Sequence, residues 1–160
     1  MSTTQTQDTT VTASISVDAS AARAFETFTA DIGSWWPADH HVLEAELAEM
    51  VFEPRVGGAV VDRGVDGSEC RWARVLAYDP PRRLVISWDI ALNWQVESDP
   101  EKTSEVEVRF IPQGPERTLV ELEHRGIDRH GEGWQKMHEA VGSPNGWDAG
   151  MRAFAERLSS

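Results

Sequence analysis

The sequence of 160 residues has one cysteine, Cys70, and two lysines, Lys102 and Lys136. A single cysteine excludes an internal disulfide and a cysteine-rich zinc site, so the hydrophobic core must hold the fold by itself. Basic residues are also scarce: 15 Lys and Arg stand against 27 Asp and Glu, for a formal charge of −12. Nucleic acids and anionic membranes are bound through clustered Lys and Arg. The charge therefore predicts that neither is a partner.

Long apolar segments are missing as well. No stretch approaches the roughly 20 apolar residues that cross a bilayer, and residues 1–10 lack the apolar segment of a signal peptide, so we expect a cytoplasmic protein. Residues 1–10 are polar and are predicted to be a disordered leader. Residues 11–160 are predicted to form a single domain, because this length and an apolar content of 40% suit one core. The preference for Arg over Lys is typical of a GC-rich bacterial genome.

Apolar residues recur along the chain either every second residue, as in strands, or at helical spacing. Residues 11–17 alternate apolar and polar side chains, as a half-buried strand does. Asp18 or Ser20 is predicted to cap a helix that carries an apolar stripe and ends near Thr29 or Ala30. Helical spacing returns at Trp147 and continues to the C-terminus. Between the two helices, turn residues separate six predicted strands: 48–53, 59–64, 68–78, 83–90, 103–111 and 117–125.

This order of elements predicts an α+β fold, in which a curved antiparallel sheet of six to seven strands wraps around a long C-terminal helix. Val106 and Val108 alternate with Glu105 and Glu107, so one face of the sheet is apolar and the other is charged. A curved sheet and one helix seldom fill all the space between them. We therefore predict a central cavity lined by apolar and aromatic side chains.

Several short motifs occur in an order that is known from one superfamily. They are Trp35-Trp36-Pro37, Pro54-Arg55-Val56-Gly57-Gly58, Asp66-Gly67, Asp79-Pro80-Pro81-Arg82-Arg83-Leu84, Ser87-Trp88, Leu122-Glu123-His124 and Gly146-Trp147. Through these motifs residues 11–158 resemble the START-like or Bet v 1-like (SRPBCC) superfamily, and within it the bacterial proteins similar to the C-terminal domain of the activator of Hsp90 ATPase. The resemblance implies a helix-grip fold with a central hydrophobic cavity. The members include lipid carriers, polyketide cyclases, self-sacrificing resistance proteins and co-chaperone domains, so a fold is implied more strongly than a reaction.

Seven tryptophans stand beside one tyrosine. Large rings in a small domain usually fill its core, and the alternative is that several of them stack on a flat ligand. Trp35 and Trp36 are predicted to form the entrance of the cavity, and Trp94, in the loop 91–102, is predicted to be a mobile aromatic cover. The full set of predicted ligand-binding residues is Trp35, Trp36, His41, Trp72, Trp88, Trp94, Trp147 and Met151.

His124 is the candidate catalytic residue. It alternates with Val120 and Leu122, which places an imidazole on the apolar face of the sheet. The unperturbed pKa of a histidine is close to neutrality, so His124 suits a general acid or base. The alternative is a core histidine whose ring is satisfied by hydrogen bonds.

The other polar residues do not indicate a specific site. His40 and His41 are adjacent and point to opposite sides of an extended segment, and no metal-ligand spacing or nucleotide motif is present, so we expect neither metal nor cofactor. Cys70 is predicted to be an ordinary half-buried cysteine without a basic neighbour on its own side of the strand. Asp62 and Arg74 lie on strands whose inward face the alternation leaves undetermined.

Three functions are compatible with these features. The first is binding of a small, largely hydrophobic, aromatic or polyketide-like ligand in the cavity between the sheet and the C-terminal helix. The second is an enzyme of the cyclase, aromatase or hydrolase kind that uses the same cavity, with His124 as acid or base. The third is a co-chaperone-like domain that binds an ATPase chaperone, which is disfavoured because the additional N-terminal domain of the eukaryotic activators is missing. A homodimer through the sheet edges is possible, but no feature selects it.

Overall fold

The computed structural model describes residues 9–36, 46–93 and 95–159. Its frame is an antiparallel, curled sheet of seven strands with the order β1-β7-β6-β5-β4-β3-β2. The strands are β1 (Val11–Val17), β2 (Leu47–Phe52), β3 (Ala59–Gly64), β4 (Glu69–Asp79), β5 (Arg83–Trp88), β6 (Ser104–Gly114) and β7 (Arg117–Arg125). The described stretches also contain the α-helices α1 (Ala21–Thr29), α2 (Trp134–Gly142) and α3 (Trp147–Ser159). The α+β helix-grip fold expected from the sequence is confirmed.

The strands lie close to their predicted positions, because two-residue alternation marks a sheet with one buried face. β1, β3 and β7 have the predicted bounds. β5 ends at Trp88 instead of residue 90, and Ile90 makes only an isolated bridge to Val96. β6 continues to Gly114, because a register shift near Pro112 lets the pairing with β7 extend to the turn. Gly57 and Gly67 have φ of 88° and 87°, as the predicted turns require.

The N-terminal helix packs against the sheet. Ser20, and not Asp18, is its N-cap: the hydroxyl of Ser20 accepts a hydrogen bond from the backbone N–H of Arg23 at 3.2 Å. Phe25 and Phe28 both contact the ring of Phe110 edge-on, with centroids 5.1 and 5.8 Å apart. α1 is therefore held against the apolar face of β6 by aromatic packing.

The C-terminal helical segment begins earlier than predicted. The sequence does not predict α2, because two glycines, Gly131 and Gly133, precede it. Gly133 occupies the N-cap position with a φ of 93° and provides no side-chain hydrogen bond. Its buried residues, Met137 and Val141, are four positions apart, which is the helical signal that the glycines obscured. At Gly146 a Cβ atom would lie 2.3 Å from the carbonyl oxygen of Val141, so the turn between α2 and α3 requires glycine.

The outer face of the sheet is charged, as predicted, and its carboxylates are paired with arginines. Glu107 accepts hydrogen bonds from Arg83, at 2.6 Å, and from Arg125. Burial raises the pKa of Glu107, but hydrogen bonds from Arg125 and Arg83 outweigh burial and lower the pKa to about 2. Cross-strand ion pairs thus neutralise much of the acidic charge that the alternation places on this face.

Two other expectations concern the predicted leader, residues 1–10, and membrane-spanning helices. Residues 1–8 of the predicted leader lie outside the described residues, whereas the carbonyl oxygen of Thr9 accepts a hydrogen bond from the backbone N–H of Ile127 at 3.2 Å. Within the three described stretches, no helix is long and apolar enough to cross a membrane.

Candidate ligand-binding site

Four indoles form a closed ring of contacts on the concave side of the sheet. Trp72 comes from β4, Trp88 from the end of β5, Trp147 from the start of α3, and Trp36 from the turn that follows α1. Successive ring centroids are 5.1 Å apart for Trp36 and Trp72, 5.7 Å for Trp72 and Trp88, 5.4 Å for Trp88 and Trp147, and 5.8 Å for Trp147 and Trp36. We call these four side chains the indole ring. Three of them are buried, and Trp36 is half-buried.

The two adjacent tryptophans at the predicted entrance have different surroundings. Trp35 is buried in the core, where its indole N–H donates to the carbonyl oxygen of Thr27 at 3.0 Å and its ring packs against Phe28 and Phe154. Trp36 faces the other tryptophans. The pair therefore joins the aromatic core to the indole ring, and Trp36 is its more exposed member.

The remaining predicted contact residues divide into two groups. Met151, one helical turn after Trp147, is 2% exposed and belongs to the same hydrophobic core. Trp94 and His41 lie outside the described residues, as does Pro37.

His124 is buried beside the indole ring and is hydrogen-bonded through both ring nitrogens. Its Nδ1 accepts from the indole N–H of Trp147 at 3.0 Å, and its Nε2 lies 2.7 Å from the hydroxyl oxygen of Ser104. Since Nδ1 is an acceptor, the proton of the neutral ring is on Nε2, which donates to Ser104. Burial, followed by the charges of His130 and His138, lowers the pKa of His124 to about 3. The ring is neutral at physiological pH.

Ser104 connects His124 to a second buried histidine that sequence reasoning missed. The hydroxyl oxygen of Ser104 lies 2.8 Å from Nε2 of His130, and Ser104 itself is fully buried. Because His124 donates to this oxygen, the Ser104 hydroxyl can donate in turn to His130. Burial lowers the pKa of His130, although Glu97 and Asp89 act in the opposite direction. A continuous hydrogen-bonded chain therefore runs from Trp147 through His124 and Ser104 to His130.

The register of the sheet explains this meeting. Val106 lies opposite His124 and shares a face with Ser104 two positions away, which makes Ser104 and His124 diagonal neighbours. The short turn of helix that follows β7, Ile127–His130, then brings His130 within hydrogen-bond distance of Ser104. Ser104, Val106 and Val108 are two residues apart, and this spacing was the signal that places Ser104 on the apolar face of the sheet. For His130, in a turn with two flanking glycines, the sequence held no comparable signal.

The structure assigns the two strand residues of undetermined orientation to opposite faces. Asp62 points inward, is fully buried and accepts a hydrogen bond from the indole N–H of Trp72 at 3.0 Å. Arg74 points outward and donates to both carboxylate oxygens of Asp89 at 3.1 and 3.2 Å and to the hydroxyl of Thr103 at 3.1 Å. Arg74 lines a surface groove of about 300 Å³ that also includes Asp89 and Glu97.

Cys70 lies next to Asp62 across the β3–β4 pairing. Burial, and then the charge of Asp62, raise the pKa of its thiol. A thiol with a raised pKa is a poor nucleophile at neutral pH, so the environment is that of a structural cysteine.

Comparisons with known proteins agree with this architecture. The sequence model of the family described as Activator of Hsp90 ATPase homolog 1-like protein matches residues 18–159. The solved structure of an anthrahydroquino-γ-pyrone synthase, Txn09, is 40% identical over 92% of this chain and 95% of that chain, with a TM-score of 0.66. CalC, a self-sacrificing resistance protein from Micromonospora echinospora, is 27% identical over 95% of both chains, with a TM-score of 0.69. No curated protein sequence matches at a significant level.

Proposed function

Starting from the Activator of Hsp90 ATPase homolog 1-like family, to which this chain belongs, we propose that the protein binds a flat, largely hydrophobic ligand of the aromatic polyketide class between the curved sheet and α3. The observation that carries this proposal is the indole ring. Aromatic faces in an otherwise apolar interior favour flat aromatic ligands, because stacking adds to the gain from burying apolar area. The synthase that is 40% identical to this chain is named for a fused aromatic product, an anthrahydroquino-γ-pyrone.

Trp36 is the member of the indole ring that we expect a ligand to contact first. It is half-buried, while Trp72, Trp88 and Trp147 are 2%, 6% and 6% exposed. A planar ligand next to Trp36 would exchange contacts between indoles for contacts between an indole and the ligand, at little cost in buried area. Trp35 and Met151 would support the contacting rings from behind. Trp94 and His41 stay in the proposed lining as predictions.

Ligand binding is tested by isothermal titration calorimetry with anthraquinone-2-carboxylate. We expect Trp36→Leu to weaken binding by about tenfold, the loss of one aromatic contact and its buried area. The matched control is Trp134→Leu, because Trp134 is also partly buried but contacts His138 on α2 and not the indole ring. Absence of binding to the wild type, or equal losses in both variants, would overturn the proposal.

A second candidate function is ring closure on such a ligand, and the chain His124–Ser104–His130 favours it. Formation of a γ-pyrone from an ortho-hydroxyaryl 1,3-diketone joins the phenol oxygen to the distant ketone carbon. The phenol and the carbon between the two carbonyl groups each lose one proton. The former ketone oxygen takes up both protons and leaves as water, and a carbon–carbon double bond forms in the new ring. Two imidazoles linked by a hydroxyl suit such a pair of proton transfers. His124 would reach the ligand only when Trp147 or Ser104 releases one of its nitrogens.

This candidate is tested with 1-(2-hydroxyphenyl)-3-phenylpropane-1,3-dione, which closes to flavone and water. We expect the wild type to accelerate the closure and Ser104→Ala to lose at least tenfold of the acceleration, within the range for acid and base catalysis, while the affinity for the diketone changes little. Ser87→Ala is the matched control, since Ser87 is fully buried and its hydroxyl accepts from the backbone N–H of Arg74, away from the histidines. No acceleration by the wild type, or full activity of Ser104→Ala, would refute catalysis through this chain.

A further inference from the structure

Of the tryptophans that the structure describes, four are more than nine-tenths buried, and three of their indole N–H groups have an acceptor at the same distance. Trp35 donates to the carbonyl oxygen of Thr27, Trp72 to Asp62, and Trp147 to His124, each at 3.0 Å. The fourth, Trp88, is 6% exposed, and its Nε1 has no hydrogen-bond partner among the described residues. Since a buried donor without an acceptor is destabilising, and this core supplies acceptors for the other three, the exception at Trp88 calls for an explanation.

The side chains whose rings contact Trp88 already use their polar groups in other hydrogen bonds. Its ring centroid is 5.7 Å from that of Trp72, 5.4 Å from that of Trp147 and 5.1 Å from that of His124. Nδ1 of His124 already accepts from Trp147. The hydroxyl oxygen of Ser104, the residue opposite Trp88 in the sheet register, lies within hydrogen-bond distance of both histidines. Among the three buried members of the indole ring, Trp88 is therefore the one whose N–H has no hydrogen-bond partner among the described residues.

We propose that the indole N–H of Trp88 donates a hydrogen bond to an oxygen of the bound ligand. The inference rests on the proposed binding function and specifies the ligand class more closely: a fused aromatic that carries a carbonyl oxygen, such as a quinone or a pyrone. A purely hydrocarbon ring system fills the same space but leaves the donor unpaired.

The donor makes Trp88 a specificity-determining residue. A site built around a buried polar group rejects an analogue that lacks the complementary group, because binding that analogue leaves the polar group without water and without a partner. For a neutral hydrogen bond we expect a preference of about tenfold, which corresponds to about 1.4 kcal/mol at 25 °C.

The test compares two ligands of equal shape and charge, anthraquinone-2-carboxylate and anthracene-2-carboxylate, by isothermal titration calorimetry. We expect the wild type to prefer the quinone by about tenfold. Trp88→Phe keeps an aromatic ring and removes the donor, so we expect its preference to disappear. Trp134→Phe is the matched control, because Trp134 packs against His138 and not against the indole ring, and we expect it to keep the wild-type preference.

The outcomes separate this inference from the function on which it rests. If neither ligand binds the wild type, the proposed binding function is refuted and this inference with it. If both ligands bind with equal affinity, or if Trp88→Phe keeps the preference, ligand binding stands and the role of the Trp88 donor is refuted.

A measurement on the wild type answers the same question if Trp88→Phe does not fold. With ¹⁵N-labelled protein, we expect the quinone to shift the indole N–H resonance of Trp88, identified through its nuclear Overhauser contacts with His124 and Trp147, downfield. The hydrocarbon should not produce this shift. A resonance that responds equally to both ligands, or to neither, would overturn the inference.

Discussion

Acidification should destabilise the protein well above the pH at which carboxylates titrate, because His124 is buried in its neutral form. The pKa of His124 is about 3 in the folded protein and about 6.5 in an unfolded chain. Between these values the unfolded chain binds more protons than the folded one. Stability is therefore fully present above pH 6.5 and falls as the pH is lowered toward 3.

The size of this loss of stability follows from the interval between the two pKa values of His124. Each pH unit inside it changes the free energy of unfolding by about 1.4 kcal/mol for one histidine. Between pH 6.5 and pH 5, His124 alone should remove about 2 kcal/mol, a large part of the 5 to 15 kcal/mol that stabilises a typical domain. The pKa of His130 is also lowered, so its contribution has the same sign.

The assay is urea unfolding at several pH values between 7 and 5, followed by far-ultraviolet circular dichroism. His124→Asn keeps an acceptor for the indole N–H of Trp147 and has no titratable group, so we expect it to be less stable near pH 7 but clearly less sensitive to acid. Leu122→Ala is the matched control, because it destabilises the same strand without changing protonation. Equal pH dependence in the wild type and His124→Asn, or a wild-type stability that is constant from pH 7 to 5, would refute the reasoning.

Three further predictions concern other parts of the fold. Glu107→Gln should lower the melting temperature near pH 7, and the difference from the wild type should shrink as the pH falls from 4.5 to about 2, because the stabilising carboxylate becomes protonated over that range. Gly146→Ala should cost at least 2 kcal/mol by chemical denaturation, because its Cβ would collide with backbone, whereas Gly114→Ala should cost much less. Cys70 should react slowly with iodoacetamide near pH 8, and Asp62→Asn should accelerate the reaction.

Each of these predictions has a clear contrary result. A difference in melting temperature between Glu107→Gln and the wild type that stays constant down to about pH 2 would contradict the stabilising role of the Glu107 ion pairs. Equal stabilities of the two glycine variants would contradict the packing at Gly146. Faster alkylation of Cys70 in the wild type than in Asp62→Asn would contradict the effect of the neighbouring carboxylate.

The histidine chain also changes how catalysis at His124 is best tested. From the sequence, replacement by alanine is the natural experiment. In the structure His124→Ala would leave the indole N–H of Trp147 without an acceptor, at about 1 to 3 kcal/mol, and would leave Ser104 with His130 as its remaining partner, besides creating a cavity. Loss of activity in that variant would not distinguish catalysis from folding. Ser104→Ala interrupts the chain with a smaller change in volume.

The parts of the fold that were predictable from the sequence are those governed by local patterns. β1 and β7 alternate strictly, because one face packs on the core and the other meets water. α2 escaped prediction because its usual start signal is missing: a glycine stands at the cap position, and no side chain caps the helix. Asp62 could not be oriented because β3 and β4 contain a register shift, which breaks the simple alternation.

The sequence by itself determined the class of the fold and the aromatic character of its interior, because alternation, turn residues and the tryptophan inventory are local properties that survive without knowledge of the contacts. Only the tertiary structure decided which polar groups meet inside. Ser104 is 20 residues from His124 and 26 from His130, and their contact depends on strand register and on the turn after β7. The unused donor of Trp88 became visible for the same reason: whether a buried group has a partner depends on the geometry of its whole surroundings.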